Sequence, residues 1–157
     1  MPQHPVVASL LRSIDEAYDR HSWHGTNLRG SLRGLDARQA AWRPARGRHN
    51  VWEIVLHAAY WKYVVRRRIN REKRGSFTRP GSNWFPSPAR PTEAEWKQAL
   101  TLLAAEHRRL RPAIARLAAA GLGPGTERLV RGVAAHDLYH AGQIQLLKRL
   151  MPARRKA

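Results

Sequence analysis

The 157-residue chain has no cysteine, which excludes disulfides, thiolate zinc sites and a protein thiol nucleophile. Any metal it carries must be held by nitrogen and oxygen. It also lacks a long apolar run, and its N-terminus, MPQHPVVASLLRSIDEAYDR, has no basic segment leading into one, so neither a membrane span nor a secretory leader is expected. The expectation is a soluble cytoplasmic protein. No segment alternates apolar and polar residues long enough for a sheet, and the expected fold class is all-α. Acidic residues are few: 11 Asp and Glu face 29 Lys and Arg, for a formal net charge of +18.

That excess raises nucleic acid or another anionic partner as one class of function. Its distribution argues for a solvated surface instead. Arg66, Arg67, Arg68, Arg71, Lys73 and Arg74 form a run at the expected end of a helix, where cations complement the dipole, and Arg154, Arg155 and Lys156 form a short basic tail after Pro152. The remaining length suits a single domain over residues 1–152, with the tail at 153–157.

Four long helices are expected. The first runs from Pro5 to about Arg20, with Val7, Leu10, Leu11, Ile14 and Tyr18 inward, and short helical pieces follow around Leu28–Leu35 and Asp36–Ala41. Asn50 is a natural cap for the second, and Glu53 stands at the position that returns the hydrogen bond in a capping box. Thr92 and Glu95 repeat that pattern for the third, which passes through Trp96, Leu103, His107 and Leu110 and which Pro112 should kink. The fourth starts near Thr126 or Glu127 and stops before Pro152. Four such helices make a four-helix bundle, a fold whose facing helices commonly build metal sites. Gly75–Pro91 is rich in Gly, Ser and Pro and reads as a long surface loop; its Trp84 and Phe85 either fold back over the bundle end or form a lid.

His136 and His140, in AHDLYHAGQI, are the most telling residues. They lie at i and i+4 on the stripe that Val133, Ile144 and Leu147 define as core, so both imidazoles face one point. His57 lies on the stripe Ile54, His57, Trp61 and Val64 of the second helix. Packing the two stripes together gathers three imidazoles, and burying three of them unpaired is costly. Three neutral histidines leave a divalent ion with open positions, the pattern of a catalytic site. Zinc or nickel comes first, with iron, manganese or copper also compatible with such donors.

SWHGTNLRGSL after the first helix, HNVWEIVLHAAYW on the second and HDLYHAGQI on the fourth together resemble the DinB/YfiT-like family of metalloenzymes, which includes bacillithiol-transferase-like proteins. The resemblance covers nearly the whole chain. It implies up-down-down-up connectivity with a long crossover between the second and third helices, often a homodimer, and a metal triad of His57, His136 and His140. Known activities in the family are thiol-dependent transfer, with bacillithiol or similar small thiols, and a mycothiol-dependent isomerisation. A low-molecular-weight thiol is therefore a candidate cosubstrate, and a thiol or water the activated group.

Around the triad several residues remain open to two readings. Asp137 imitates the acid of an H-E-x-x-H motif, yet is better read as orienting a neighbour or pairing with an arginine. Gln143 either bonds a ligand or satisfies a buried polar contact, Tyr139 lines a pocket or packs, and His49 makes a local hydrogen bond or touches substrate. Trp23 and His24 either close one end of the pocket, as the resemblance allows, or form a turn packed on the bundle. His4, His21 and His107 have no partner at metal spacing. Two functional classes follow: a metal-dependent enzyme of thiol transfer or hydrolysis acting on a small molecule, or a non-catalytic basic protein that binds nucleic acid or another anion and holds a structural metal.

Overall fold

The computed structural model describes residues 4–75, 77–117 and 122–152, among which there are six helices and no strand. The expected basic tail and part of the GLGPGT connection lie outside the described residues. The helices are α1 (Pro5–Tyr18), α2 (Leu28–Ser31), α3 (Ala37–Ala41), α4 (Val51–Ile69), α5 (Glu93–Ala115) and α6 (Pro124–Leu150). The four long ones form a ring in which α1 packs on α5 and α6, and α4 packs on the same two. Among the described residues no helix is long and apolar enough to cross a membrane.

Helix ends follow local chemistry closely. Asn50 accepts from the Glu53 amide at 2.9 Å and Thr92 from the Glu95 amide at 3.3 Å, satisfying donors that the first turn leaves free. The expected return bond from Glu53 does not form, because that carboxylate is taken by Arg43 and His49. The full capping box belongs to α3, between Asp36 and Gln39. α6 begins at Pro124, two residues earlier than expected, since proline is pre-shaped for the first helical position. α5 continues only to Ala115, within a turn of Pro112.

α4 is the central element. A single buried stripe is expected from its sequence, but residues 51–59 are buried on every side, because α3 and the 70–92 connection cover the face that would otherwise meet water. Phe85, from that connection, is core, packed with Tyr60 and Phe77. Side-chain pairs give the helix directions. Trp52 meets Trp96 and Lys62 approaches His107, so α4 and α5 run parallel. His57 meets His140 while Lys62 meets Asp137, so α4 and α6 run antiparallel. Parallel neighbours need a connection that travels back along the bundle, and residues 70–92 supply it.

Between the two apolar clusters of the core lies a buried polar string. Lys62 and Asp137 are both fully buried and form an ion pair, Lys62 Nζ lies 3.5 Å from His107 Nδ1, and His107 Nε2 lies 3.4 Å from Asp15. The string takes one residue from each long helix. Asp137, read from the sequence as orienting a neighbour or pairing with an arginine, thus pairs with a lysine. Two charges removed from water persist only while each keeps its partner. We expect Lys62→Ala and Asp137→Ala each to cost about 3–5 kcal/mol in urea unfolding, and Lys62→Met with Asp137→Leu to cost less than either single change. A double variant no more stable than the singles would show that the pair does not set this energy.

Candidate metal centre

α4 contributes His57 and α6 contributes His136 and His140, one helical turn apart, and antiparallel packing sets these stretches side by side. His136 Nε2 lies 3.0 Å from His57 Nε2 and 3.0 Å from His140 Nε2. All three residues offer a ligand atom within 4.8 Å of the others. His57 and His140 are buried and His136 is half-buried. Burial disfavours the charged imidazolium, so all three pKa values are depressed: His57 downward, His136 to about 3 and His140 to about 4, with the neighbouring imidazoles adding to the effect. Near neutral pH the three rings are uncharged and able to donate lone pairs.

The outer nitrogens decide where those lone pairs point. His57 Nδ1 donates to the Asn83 carbonyl at 2.9 Å, and His140 Nδ1 to Gln143 Oε1 at 2.7 Å. A neutral imidazole carries one N–H, so both rings turn a bare Nε2 toward His136. His136 Nε2 has at most one proton to give, while His136 Nδ1 is buried without a hydrogen-bond partner. At least one of the two 3.0 Å contacts therefore sets lone pair against lone pair. A cation shared by the three nitrogens removes the conflict. The spacing suits it: nitrogens on one zinc ion at about 2.0–2.1 Å lie about 2.9–3.4 Å apart at octahedral to tetrahedral angles.

The surrounding residues hold the rings in place. Asn83 adopts φ +64°, a left-handed conformation that asparagine tolerates; its carbonyl accepts from His57 and its Oδ1 from Trp61 Nε1 at 3.0 Å. Trp84 is sandwiched between His57 (ring centroids 3.8 Å) and His49 (3.6 Å). His49 bonds Glu53 at 2.9 Å, and Arg43 grips the same carboxylate. Against the upward pull of burial, Arg43 and His49 hold the Glu53 carboxyl below its usual range. Neither Asn83 nor the stacking role of Trp84 was found by sequence reasoning, because the contact with His57 spans 26 residues and carries no periodic signal.

Of the other sequence candidates, Gln143 touches the triad directly, and its amide donates to the Tyr139 hydroxyl at 3.1 Å. Tyr139 is 64% exposed, its ring 5.2 Å from His140. Asp137 turns away from the triad toward Lys62. Trp23 is 96% exposed and His24 is exposed, so neither side chain packs on the bundle. His4 and His21 are exposed as well, whereas His107 belongs to the buried string.

Residues 20–144 match the DinB superfamily, a span that contains every histidine of the cluster. The chain belongs to the DinB superfamily. No curated protein and no solved structure gives a significant match. Membership and the three-histidine cluster are together compatible with metal binding in this DinB-superfamily protein.

The depressed histidines make the metal-free fold sensitive to acid. His107, His136 and His140 bind protons near pH 6.5 when unfolded but only near pH 3–4 when folded. Their stabilisation is complete above pH 6.5 and is lost as pH falls toward the folded values. Asp137 opposes this, its carboxyl raised to about 6 by burial. We expect urea midpoints of the metal-free protein to fall steadily from pH 7 to pH 5. A flat profile would mean that the imidazoles are not buried neutral.

Proposed function

We propose that this DinB-superfamily protein is a metal-dependent enzyme, of the thiol-transfer or hydrolase type, in which His57, His136 and His140 hold one divalent ion. The carrying observation is the convergence of three Nε2 atoms, two of them, on His57 and His140, left bare because their outer nitrogens are committed to Asn83 and Gln143. Zinc or nickel suits three neutral nitrogens best, with iron, manganese and copper following. When bound, such an ion lowers the pKa of a coordinated water or thiol toward neutrality. A small thiol cosubstrate would bring the nucleophile that a cysteine-free chain does not provide.

The chain's own residues would fix the rings around that ion. The Asn83 carbonyl and Gln143 set the tautomers of His57 and His140, and Trp84, backed by His49, keeps water from one face of His57. Tyr139, reached through Gln143, stands at the rim where a substrate would enter. Arg29, Arg43, Arg66, Arg109, Arg111 and Arg131 are engaged by carboxylates, which favours this reading over a bare phosphate-binding face. Tyr139, Leu146 and Leu150, all more than half exposed along α6, favour a homodimer. Light scattering at micromolar concentration checks that, and a monomer mass would remove it.

The deciding experiment is elemental analysis of untagged protein beside a variant with all three histidines changed to alanine. The expected result is one equivalent of metal per chain, absent from the variant. Gln143→Leu should weaken metal affinity about 10- to 100-fold. Rates with small thiols and a panel of electrophiles should vanish in His140→Ala. A wild type that takes up none of zinc, nickel, iron, manganese and copper would overturn the proposal.

A further inference from the structure

Beside the histidines, α4 and α6 line an open groove of about 530 Å³, a volume typical of small-molecule sites. His136 stands at one end. The walls are apolar, made by Trp61 and Val65 from α4 and Leu129 and Val133 from α6, and the far end carries Arg68 and Arg128. Neither arginine forms an ion pair among the described residues, whereas nearby Arg66 and Arg131 are tied to Glu72 and Glu127. Two unpaired guanidiniums facing one groove repel each other, and an anion between them relieves that repulsion.

The groove is also open along α6. Gly132, inside α6, lines the groove, and a Cβ built on it would meet nothing within 4 Å. Packing does not require a glycine there, and helix propensity disfavours it. The space beside it is open, and a large side chain placed there would occupy the groove where an apolar body would lie.

The geometry points to this groove as the binding site of an amphiphilic oxyanion, its apolar body on Trp61, Val65, Leu129 and Val133 and its carboxylate or phosphate on Arg68 and Arg128. Arg128 precedes His136 by eight residues, about 12 Å of helix. The charged end therefore sits on the order of 10 Å from the histidines, and an eight-carbon chain spans the interval. That the opposite end of the ligand reacts at the histidines rests on the metal-enzyme reading; the groove itself does not.

Calorimetric titration of the metal-free protein with octanoate, octyl phosphate and octanol tests the groove alone. At least one oxyanion should bind about tenfold or more tightly than the alcohol. Arg68→Ala with Arg128→Ala should erase that preference and leave octanol binding unchanged. Gly132→Trp should block all three ligands, while Gly132→Ala, which adds one methyl group to open space, should bind like the parent. Comparison of octanoate with octyl phosphate shows which oxyanion the arginines prefer. Equal affinity for oxyanions and alcohol, no detectable binding of either anion, or a preference that survives the double arginine variant would overturn the inference.

Titration of zinc-loaded protein with ω-mercaptooctanoate adds the reacting end, and it should bind more tightly than octanoate. If the protein takes up no zinc, the metal reading fails by itself, and the metal-free titrations still decide the groove.

Discussion

The seam between α4 and α6 governs the molecule. Two polar devices cross it, the Nε2 cluster of His57, His136 and His140 and the buried ion pair of Lys62 with Asp137. His136 and Asp137 are consecutive on α6 yet turn to different partners, and on α4 His57 and Lys62 stand five residues apart. One register of the two helices satisfies both devices. A slip of a single turn would bury an unpaired ammonium and carboxylate and scatter the imidazoles, penalties that apolar side chains sliding past one another would not impose. The ion pair need not add net stability over an apolar pair to fix the register in this way.

The long connection from α4 to α5 follows from the same arrangement. Because α4 and α5 run parallel, the chain must return along the bundle, and its path places Asn83 and Trp84 against His57. The layered stack of His49, Trp84 and His57, held from behind by Glu53 and Arg43, ties the start of α4 to the loop and the loop to the site. An element that reads as a surface loop is in this way part of the wall around the histidines. The same helices that bring the imidazoles together line the groove beside them, so the histidine cluster and the groove share one origin.

Much of this was legible in the amino-acid sequence, for reasons that can be named. His136 and His140 at i and i+4 share a face whatever the tertiary context, and Asn50 and Thr92 cap their helices through bonds that span three residues. Pro152 bounds the end of α6 locally, whereas the start, read at Thr126 or Glu127, lies at Pro124. Contacts made across the fold were not legible. Lys62 sits in an otherwise apolar run, and only the packing of α6 reveals that Asp137 faces it. Glu53 fits a capping box by spacing, but Arg43, ten residues upstream, offers its carboxylate a charged partner and wins. The one-sided apolar stripe expected for α4 failed because α3 and the returning loop cover the face left for solvent. Trp23 and His24 had no packing partner to find.

Metal binding here depends on three neutral imidazoles converging on one point. X-ray absorption spectroscopy of the protein loaded with one equivalent of zinc tests this most directly. The predicted result is a first shell that contains three nitrogens at about 2.0–2.1 Å, with the outer-ring scattering that identifies imidazole. A shell of oxygens, or one with fewer than three imidazoles, would contradict it.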